Sequence, residues 1–185
     1  MSSKNIRKMV TTAILIALTV VFQLMRPMLG GAGNPVSTYI IGSLVNLCLI
    51  IAACVMGMWS GLAVAIITPI IAMWQGQAVL IMVPWIMAGN AALVVCFVLF
   101  GKNGEGKTSK DWIRFMAVGV IAALIKYVII TLGTTFMMSS TQGKQFSVAI
   151  GLAASKQIQQ VVTAIVGTFI AKLVILALPA SIKEF

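Results

Sequence analysis

The sequence predicts an all-α integral membrane protein, folded as a compact bundle of six transmembrane helices with both termini cytoplasmic. Of its 185 residues, 61% are hydrophobic and only 9% are charged, whereas about a quarter of the residues in a soluble domain are charged. Residues 27 to 101 contain no Asp, Glu, Lys or Arg, which is enough for about three bilayer spans of roughly 20 residues. No segment alternates polar and apolar residues with period two, as strands of a membrane barrel would.

Apolar runs separated by breakers place the helices in a single domain, residues 1–185. The predicted helices cover about residues 6–25, 36–56, 58–74, 78–100 and 112–138, with a last one ending near 178. The first run follows basic residues, as in a signal peptide, but Arg26-Pro27 comes after it and favours an uncleaved span. Short turns around Gly57 and at residues 75–77 make neighbouring helices antiparallel.

Two starting points remain open for the last helix. It begins either near Phe146 or at Ser155. A start at Ser155 leaves residues 139–154 as a partly apolar loop that covers a cavity. A start near Phe146 places Lys156 inside the membrane.

The basic residues predict the orientation. An even number of spans puts both termini on one side, with nine of the 13 cations: Lys4, Arg7, Lys8, Lys102, Lys107, Lys110, Arg114, Lys172 and Lys183. Because cytoplasmic loops of membrane proteins carry an excess of Lys and Arg, this side is predicted to be the cytoplasm of a plasma-membrane protein. The net charge of +10 then reflects topology, and the expected surroundings are the lipid bilayer, with no nucleic-acid partner.

The composition excludes most enzymatic chemistry. The chain has no His, and its only acids are Glu105, Asp111 and Glu184, so it lacks the residues of a His base, a carboxylate dyad or a carboxylate metal cluster. Residues 101–108 read GxxxxGK[ST], the letters of a phosphate-binding loop. That motif needs a preceding strand, whereas a membrane helix is predicted here, so a solvated basic loop is expected. No enzyme activity, cofactor or metal site is predicted.

Lys126 is the most informative residue of the sequence. It lies 14 residues after Trp112 and 12 before Met138, near the middle of its span, where a Lys costs about 2.5–3.5 kcal/mol to insert. The side chain should therefore point into the bundle or a watery cavity. Its helical neighbours are small (Gly119, Ala122, Ala123 and Gly133), which suits close packing or leaves room for a ligand.

Other polar or aromatic residues are predicted to lie in the outer half of the bundle. The last helix contributes Lys156, Gln157 and Gln160, which are also compatible with a simple interfacial helix start. Helix four brings Trp85, after a proline predicted to bend it at Pro84, and Asn90. Arg26 and Asn34 lie in a Gly-rich loop after helix one. Trp85 and Tyr127 are suited either to stack on the ring of a substrate or to serve, as aromatic residues in membrane helices more often do, in packing or as interfacial anchors.

The candidate residues share one sign of charge. Arg26, Lys126, Lys144 and Lys156 stand in the outer half or centre of the bundle, and all three acids are assigned to the cytoplasmic side. A buried cation without a counter-ion requires an anion. The sequence therefore predicts an outward-open pocket for a small molecule with a carboxylate or phosphate.

The layout resembles a known family. Six helices in fewer than 200 residues, a Gly/Pro-containing loop after helix one, and the AxxxA motif from Ala13 to Ala17 are similar to the substrate-binding S component of energy-coupling factor (ECF) transporters. The resemblance implies that the chain binds a vitamin or related micronutrient from outside. It also implies two kinds of partner: a transmembrane coupling subunit, which Ala13 and Ala17 would face, and two ATPase subunits.

A self-sufficient secondary transporter of a small organic anion is the alternative function. Its coupling to an ion gradient usually involves an intramembrane acid, and none is visible in the predicted spans.

Overall fold

The protein is described by a computed structural model over residues 3–31, 33–101, 104 and 106–179. In these residues six α-helices follow one another: α1 (Ser3–Leu24), α2 (Pro35–Ile51), α3 (Met58–Trp74), α4 (Val83–Cys96), α5 (Ser109–Gln142) and α6 (Phe146–Ala177). Short 3-10 turns precede α2 and α4 at Pro27–Leu29 and Leu80–Met82, and π-helical turns extend α2 and α4 through Ala52–Met56 and Phe97–Gly101. The all-helical fold class is confirmed for this part of the chain.

Within the described residues, five helical stretches are long and apolar enough to cross a membrane: Asn5–Leu29, Pro35–Met56, Leu80–Gly101, Ser109–Gln142 and Phe146–Ala177. The remaining helix, α3, is apolar but has only 17 residues, about 25 Å at 1.5 Å per residue. The chain is therefore a multi-pass membrane protein, and the prediction of a sixth span depends on α3, the shortest of these continuous helical stretches.

Three boundary predictions differ from the structure. The α-helix predicted over 78–100 begins only at Val83, after a 3-10 turn, which puts Pro84 in its first turn, where a proline is tolerated because its missing N–H would have no partner within the helix. Helix α5 continues to Gln142, four residues beyond the predicted end, and the next residue, Gly143, caps it with a left-handed φ of 61°. Helix α6 starts at Phe146; the alternative of a long loop over residues 139–154 is therefore wrong.

The apolar core fills the half of the bundle that contains the α4–α5 connection. There Phe97 and Phe115 are fully buried, with ring centroids 5.1 Å apart. Small residues let the helices approach closely. A Cβ atom at Gly167 of α6 would lie 2.8 Å from the Ser43 carbonyl oxygen and 2.8 Å from Asn46 Cβ in α2. This close contact fixes the position of Asn46.

The α4–α5 connection is held by a buried lysine. Lys172 of α6 is 0% exposed, and its Nζ donates hydrogen bonds to the carbonyl oxygens of Gly104 and Gly106, the latter at 2.7 Å. The same ammonium lies over the rings of Trp112 and Phe115. Two carbonyls of this loop thus face a cation, whereas a phosphate-binding loop turns N–H groups to an anion. A π-helical turn, not a strand, precedes it.

Replacing Lys172 with Met is expected to loosen this connection. The buried Gly104 carbonyl would lose a donor, which costs about 1–3 kcal/mol. Thermal unfolding in detergent and tryptic cleavage at the exposed Lys107 measure the effect: the melting temperature should fall and cleavage should accelerate. Lys156→Met, at an exposed position of the same helix, is the control. Equal cleavage of both variants would contradict the anchoring role.

Candidate functional site

A cavity of about 620 Å³ lies in the half of the bundle opposite the apolar core. It is lined by the end of α1, the beginning of α2, the end of α3, the beginning of α4, the second half of α5 and the middle of α6. Its size falls within the range of small-molecule sites, about 300–1,000 Å³. The cavity therefore has room for a metabolite-sized ligand.

The floor of the cavity is formed by Lys126, Asn46 and Asn90, all of which are buried. Lys126 is 3% exposed, and its Nζ donates a hydrogen bond to Asn46 Oδ1 at 2.7 Å. Asn46 Nδ2 in turn donates to Thr163 Oγ1 at 3.3 Å. This chain connects α5, α2 and α6, so the ammonium group is held in one place. The predicted burial of Lys126 on a face of small residues is confirmed.

The floor keeps unused hydrogen-bonding capacity. An ammonium carries three N–H donors, and within the described residues Lys126 uses one, toward Asn46. Asn90 is 2% exposed, yet its side chain makes no hydrogen bond to any residue that the structure describes. Because a buried polar group without a partner costs free energy, these groups favour a polar ligand on the floor.

One wall of the cavity is polar. Gln157 Nε2 of α6 donates to Thr134 Oγ1 of α5 at 2.9 Å, and Thr134 Oγ1 donates to the carbonyl oxygen of Ile130 at 2.9 Å. The amide oxygen of Gln157 is not used by these bonds among the described residues. Gln160, one turn further along α6, also lines the cavity, and its side-chain amide makes no hydrogen bond to a described residue. The wall therefore presents both donors and acceptors.

The mouth of the cavity is lined by Gln23, Arg26 and Gln77. Gln23 Nε2 donates to the Thr68 carbonyl at 3.2 Å, and Gln77 Nε2 donates to the Gln23 carbonyl at 2.9 Å. Gln23 Oε1, Gln77 Oε1 and Arg26 Nε are buried and have no hydrogen-bond partner in the part of the chain that the structure describes. These bonds join the end of α1 to α3 and to the α3–α4 connection.

The charges around the cavity have a single sign. Arg26, Lys126 and Lys156 line it, and no Asp or Glu is found among the lining residues that the structure describes. Asp111, the one acid with a described position, caps α5 at the other end of the bundle. The cavity is therefore electropositive, because no carboxylate within it balances these cations.

The structure brings six of the nine predicted substrate-binding residues together. Those that line the cavity are Arg26, Asn90, Lys126, Lys156, Gln157 and Gln160. Their contact with a substrate remains a prediction.

The other three lie outside the cavity lining. Trp85 packs at the α4–α5 interface, where a Cβ atom at Gly133 would lie 2.2 Å from its Cγ, and its ring faces Phe136. The Tyr127 hydroxyl donates to the Ala154 carbonyl at 3.1 Å. Asn34 accepts a hydrogen bond from the N–H of Val36 and caps α2. In this conformation Trp85 and Tyr127 are engaged in contacts between helices, and Asn34 is engaged at the beginning of α2.

The sequence prediction missed Gln23, Thr68 and Thr134, which also line the cavity. Gln23 had a usable signal, because a Gln within an apolar span needs a partner. The two threonines had none, since a Thr within a helix can bond its own backbone, as Thr68 and Thr134 both do.

Comparison with known proteins identifies the family. Searches of curated proteins and of solved structures give no match. The family model described as "ECF transporter, substrate-specific component" matches residues 7–180, nearly the whole chain. The chain, with its electropositive cavity within a helical membrane bundle, therefore belongs to the substrate-specific component family of ECF transporters.

Proposed function

We propose that this substrate-binding subunit captures a small organic anion, a vitamin or related micronutrient, in the cavity above Lys126 and delivers it by association with an ATP-driven coupling module. The observation that carries the proposal is the floor: a buried ammonium held by Asn46, together with Asn90, whose amide has no hydrogen-bond partner among the described residues, and no described acid in the cavity. A carboxylate or phosphate supplies the missing counter-charge and accepts the unused N–H donors.

In this proposal all six helices cross the plasma membrane, and the cavity opens to the outside. Support for a span by α3 comes from Trp59 and Trp74, which are 85% and 80% exposed near its two ends, because exposed Trp is enriched at membrane interfaces. The basic residues Lys107, Lys110 and Arg114 lie at the end opposite the cavity. The positive-inside rule makes that end, with both termini, cytoplasmic.

The partner surface is proposed on α1. Leu15, Thr19 and Gln23 are buried against the bundle, whereas Ala13 and Ala17 are exposed one turn apart. Small residues on an exposed helix face permit close approach of another membrane helix. This arrangement supports a contact between α1 and the transmembrane coupling subunit, whose two ATPase subunits supply the energy.

Replacing both Ala13 and Ala17 with Leu is expected to lower ATP-dependent uptake at least tenfold while leaving substrate affinity unchanged. The reason is that larger side chains hold the partner helix away from α1 but point away from the cavity. Ala117→Leu, at an exposed position of α5, is the matched control and should retain uptake. A loss of affinity in the α1 variant, or normal uptake by it, would argue against this surface.

Reconstitution in liposomes tests the proposed function as a whole. The purified chain should bind its substrate without ATP, and uptake should require the coupling subunit, both ATPases and ATP. Uptake by the chain alone in ATP-free liposomes would instead establish a self-sufficient secondary transporter.

A further inference from the structure

The lining of the cavity restricts the kind of anion it accepts. No aromatic side chain lines it among the residues that the structure describes. The two aromatic residues that the sequence suggested for stacking, Trp85 and Tyr127, are engaged at helix contacts. Small-molecule sites are usually rich in aromatic and apolar side chains, and flat rings favour stacking on other aromatic rings. The cavity offers no such surface to a ring.

The cavity lining combines apolar and amide side chains. Met82, immediately before α4, Ile86 of α4 and Ile130 of α5 are apolar. Helix α6 contributes the amide wall, Gln157 and Gln160, where Gln157 Oε1 and the Gln160 amide have no partner among the described residues. Thr134 Oγ1 lies beside both groups, 3.9 Å from Met82 Sδ and 2.9 Å from Gln157 Nε2. A ligand in this lining needs both apolar surface and hydrogen-bonding groups.

The vertical extent of the site follows from α6. Thr163 is joined through Asn46 to Lys126 at the floor, and Lys156 lies seven residues earlier on the same helix, about 10 Å higher at 1.5 Å per residue. Gln157 and Gln160 are placed between these levels. A carboxylate on Lys126 therefore leaves room above it for a chain that meets both glutamines.

From these observations, and resting on the proposed function, we infer that the substrate is a non-aromatic carboxylic acid with hydroxyl or amide groups along an aliphatic chain. Its carboxylate contacts Lys126 and Asn90, and its hydroxyl or amide groups bond to Gln157 and Gln160. A site built to hydrogen-bond such groups strongly rejects analogues without them, because its own polar groups are then left unpaired.

Calorimetric titration of the full-length chain in detergent with four probes tests this substrate class. Pantothenic acid has the inferred chemistry; panthenol replaces its carboxylate with an alcohol; heptanoic acid lacks hydroxyl and amide groups; nicotinic acid is a flat aromatic carboxylate. Pantothenic acid is expected to bind at least tenfold more tightly than each of the others. Tighter binding of nicotinic acid, equal binding of panthenol or heptanoic acid, or no binding of pantothenic acid would overturn the inference.

A variant separates the role of the amide wall from general damage. Gln160→Leu should weaken pantothenic acid at least tenfold and leave heptanoic acid unchanged, whereas an equal loss for both acids would contradict the inferred contact. Failure of the proposed function has a different signature: uptake without the coupling module, or equal anion binding by wild type and Lys126→Met. Preference for nicotinic acid would overturn only the substrate class.

Discussion

Lys126→Met is expected to weaken substrate binding by a factor of about 30 to several thousand, because truncating one partner of a buried, hydrogen-bonded charge pair costs about 2–5 kcal/mol. Methionine has a similar length and is apolar, so it fills the space of the Lys stem and removes only the ammonium that Asn46 positions. The measurement is the equilibrium dissociation constant of the co-purifying substrate, determined by calorimetry for both proteins in the same detergent.

Two controls separate loss of the charge from loss of structure. Lys172→Met removes the other lysine that the structure shows to be buried; it should lower thermal stability but leave the affinity of the folded fraction intact. Lys156→Met removes an exposed cation at the cavity, where solvent weakens the interaction, and should have a smaller effect than Lys126→Met. Unchanged affinity in Lys126→Met would refute the role of the floor.

Gly167→Ala is the second substitution with a large expected effect, and the sign of its effect on stability shows whether helix propensity or close packing dominates. On helix propensity alone, alanine would stabilise α6 by about 1 kcal/mol. Its Cβ, however, would lie 2.8 Å from the Ser43 carbonyl oxygen and 2.8 Å from Asn46 Cβ. Overpacking of this kind typically costs 1–3 kcal/mol, and because one of the contacted atoms is backbone, side-chain rotation cannot relieve it.

The variant should therefore show a lower melting temperature and a weaker substrate affinity, because α2 must move and Asn46 moves with it. Gly151→Ala is the matched control on the same helix, since no atom of the described residues, apart from its chain neighbours and the nearby backbone of α6, lies within 4 Å of the added Cβ; it should be neutral or stabilising. A higher melting temperature for Gly167→Ala would show that α2 and α6 are not closely packed.

The helical fold was predictable because its signal is local. Apolar runs and their breakers locate the helices to within a few residues, and α3 was predicted at its observed limits, Met58–Trp74. The start of α6 was left open because residues 143–154 contain apolar residues without a strong break. Gly143, with its left-handed φ of 61°, marks the actual boundary, and the helix resumes three residues later.

The cavity was predictable only in part, since helix rotation decides which side chains face it. A lone cation in an apolar span carries a large insertion cost, and this signal placed Lys126 correctly in the interior. The sequence gives no comparable constraint on Trp85, because an aromatic side chain suits a cavity lining and a contact between helices equally well. The structure places it in such a contact, against Gly133. The sequence assigned Lys172 only to the charged cytoplasmic side. Its hydrogen bonds to the carbonyl oxygens of Gly104 and Gly106 were not predictable, because these partners are distant in the sequence.

Native mass spectrometry of the purified chain, followed by identification of the released small molecule, tests the central claim most directly. Wild type should retain one small molecule per chain with a carboxylate or phosphate group, and Lys126→Met should be empty under the same conditions. A cationic or uncharged ligand, or equal retention of the anion by both proteins, would contradict the assignment of the electropositive cavity as an anion-binding site.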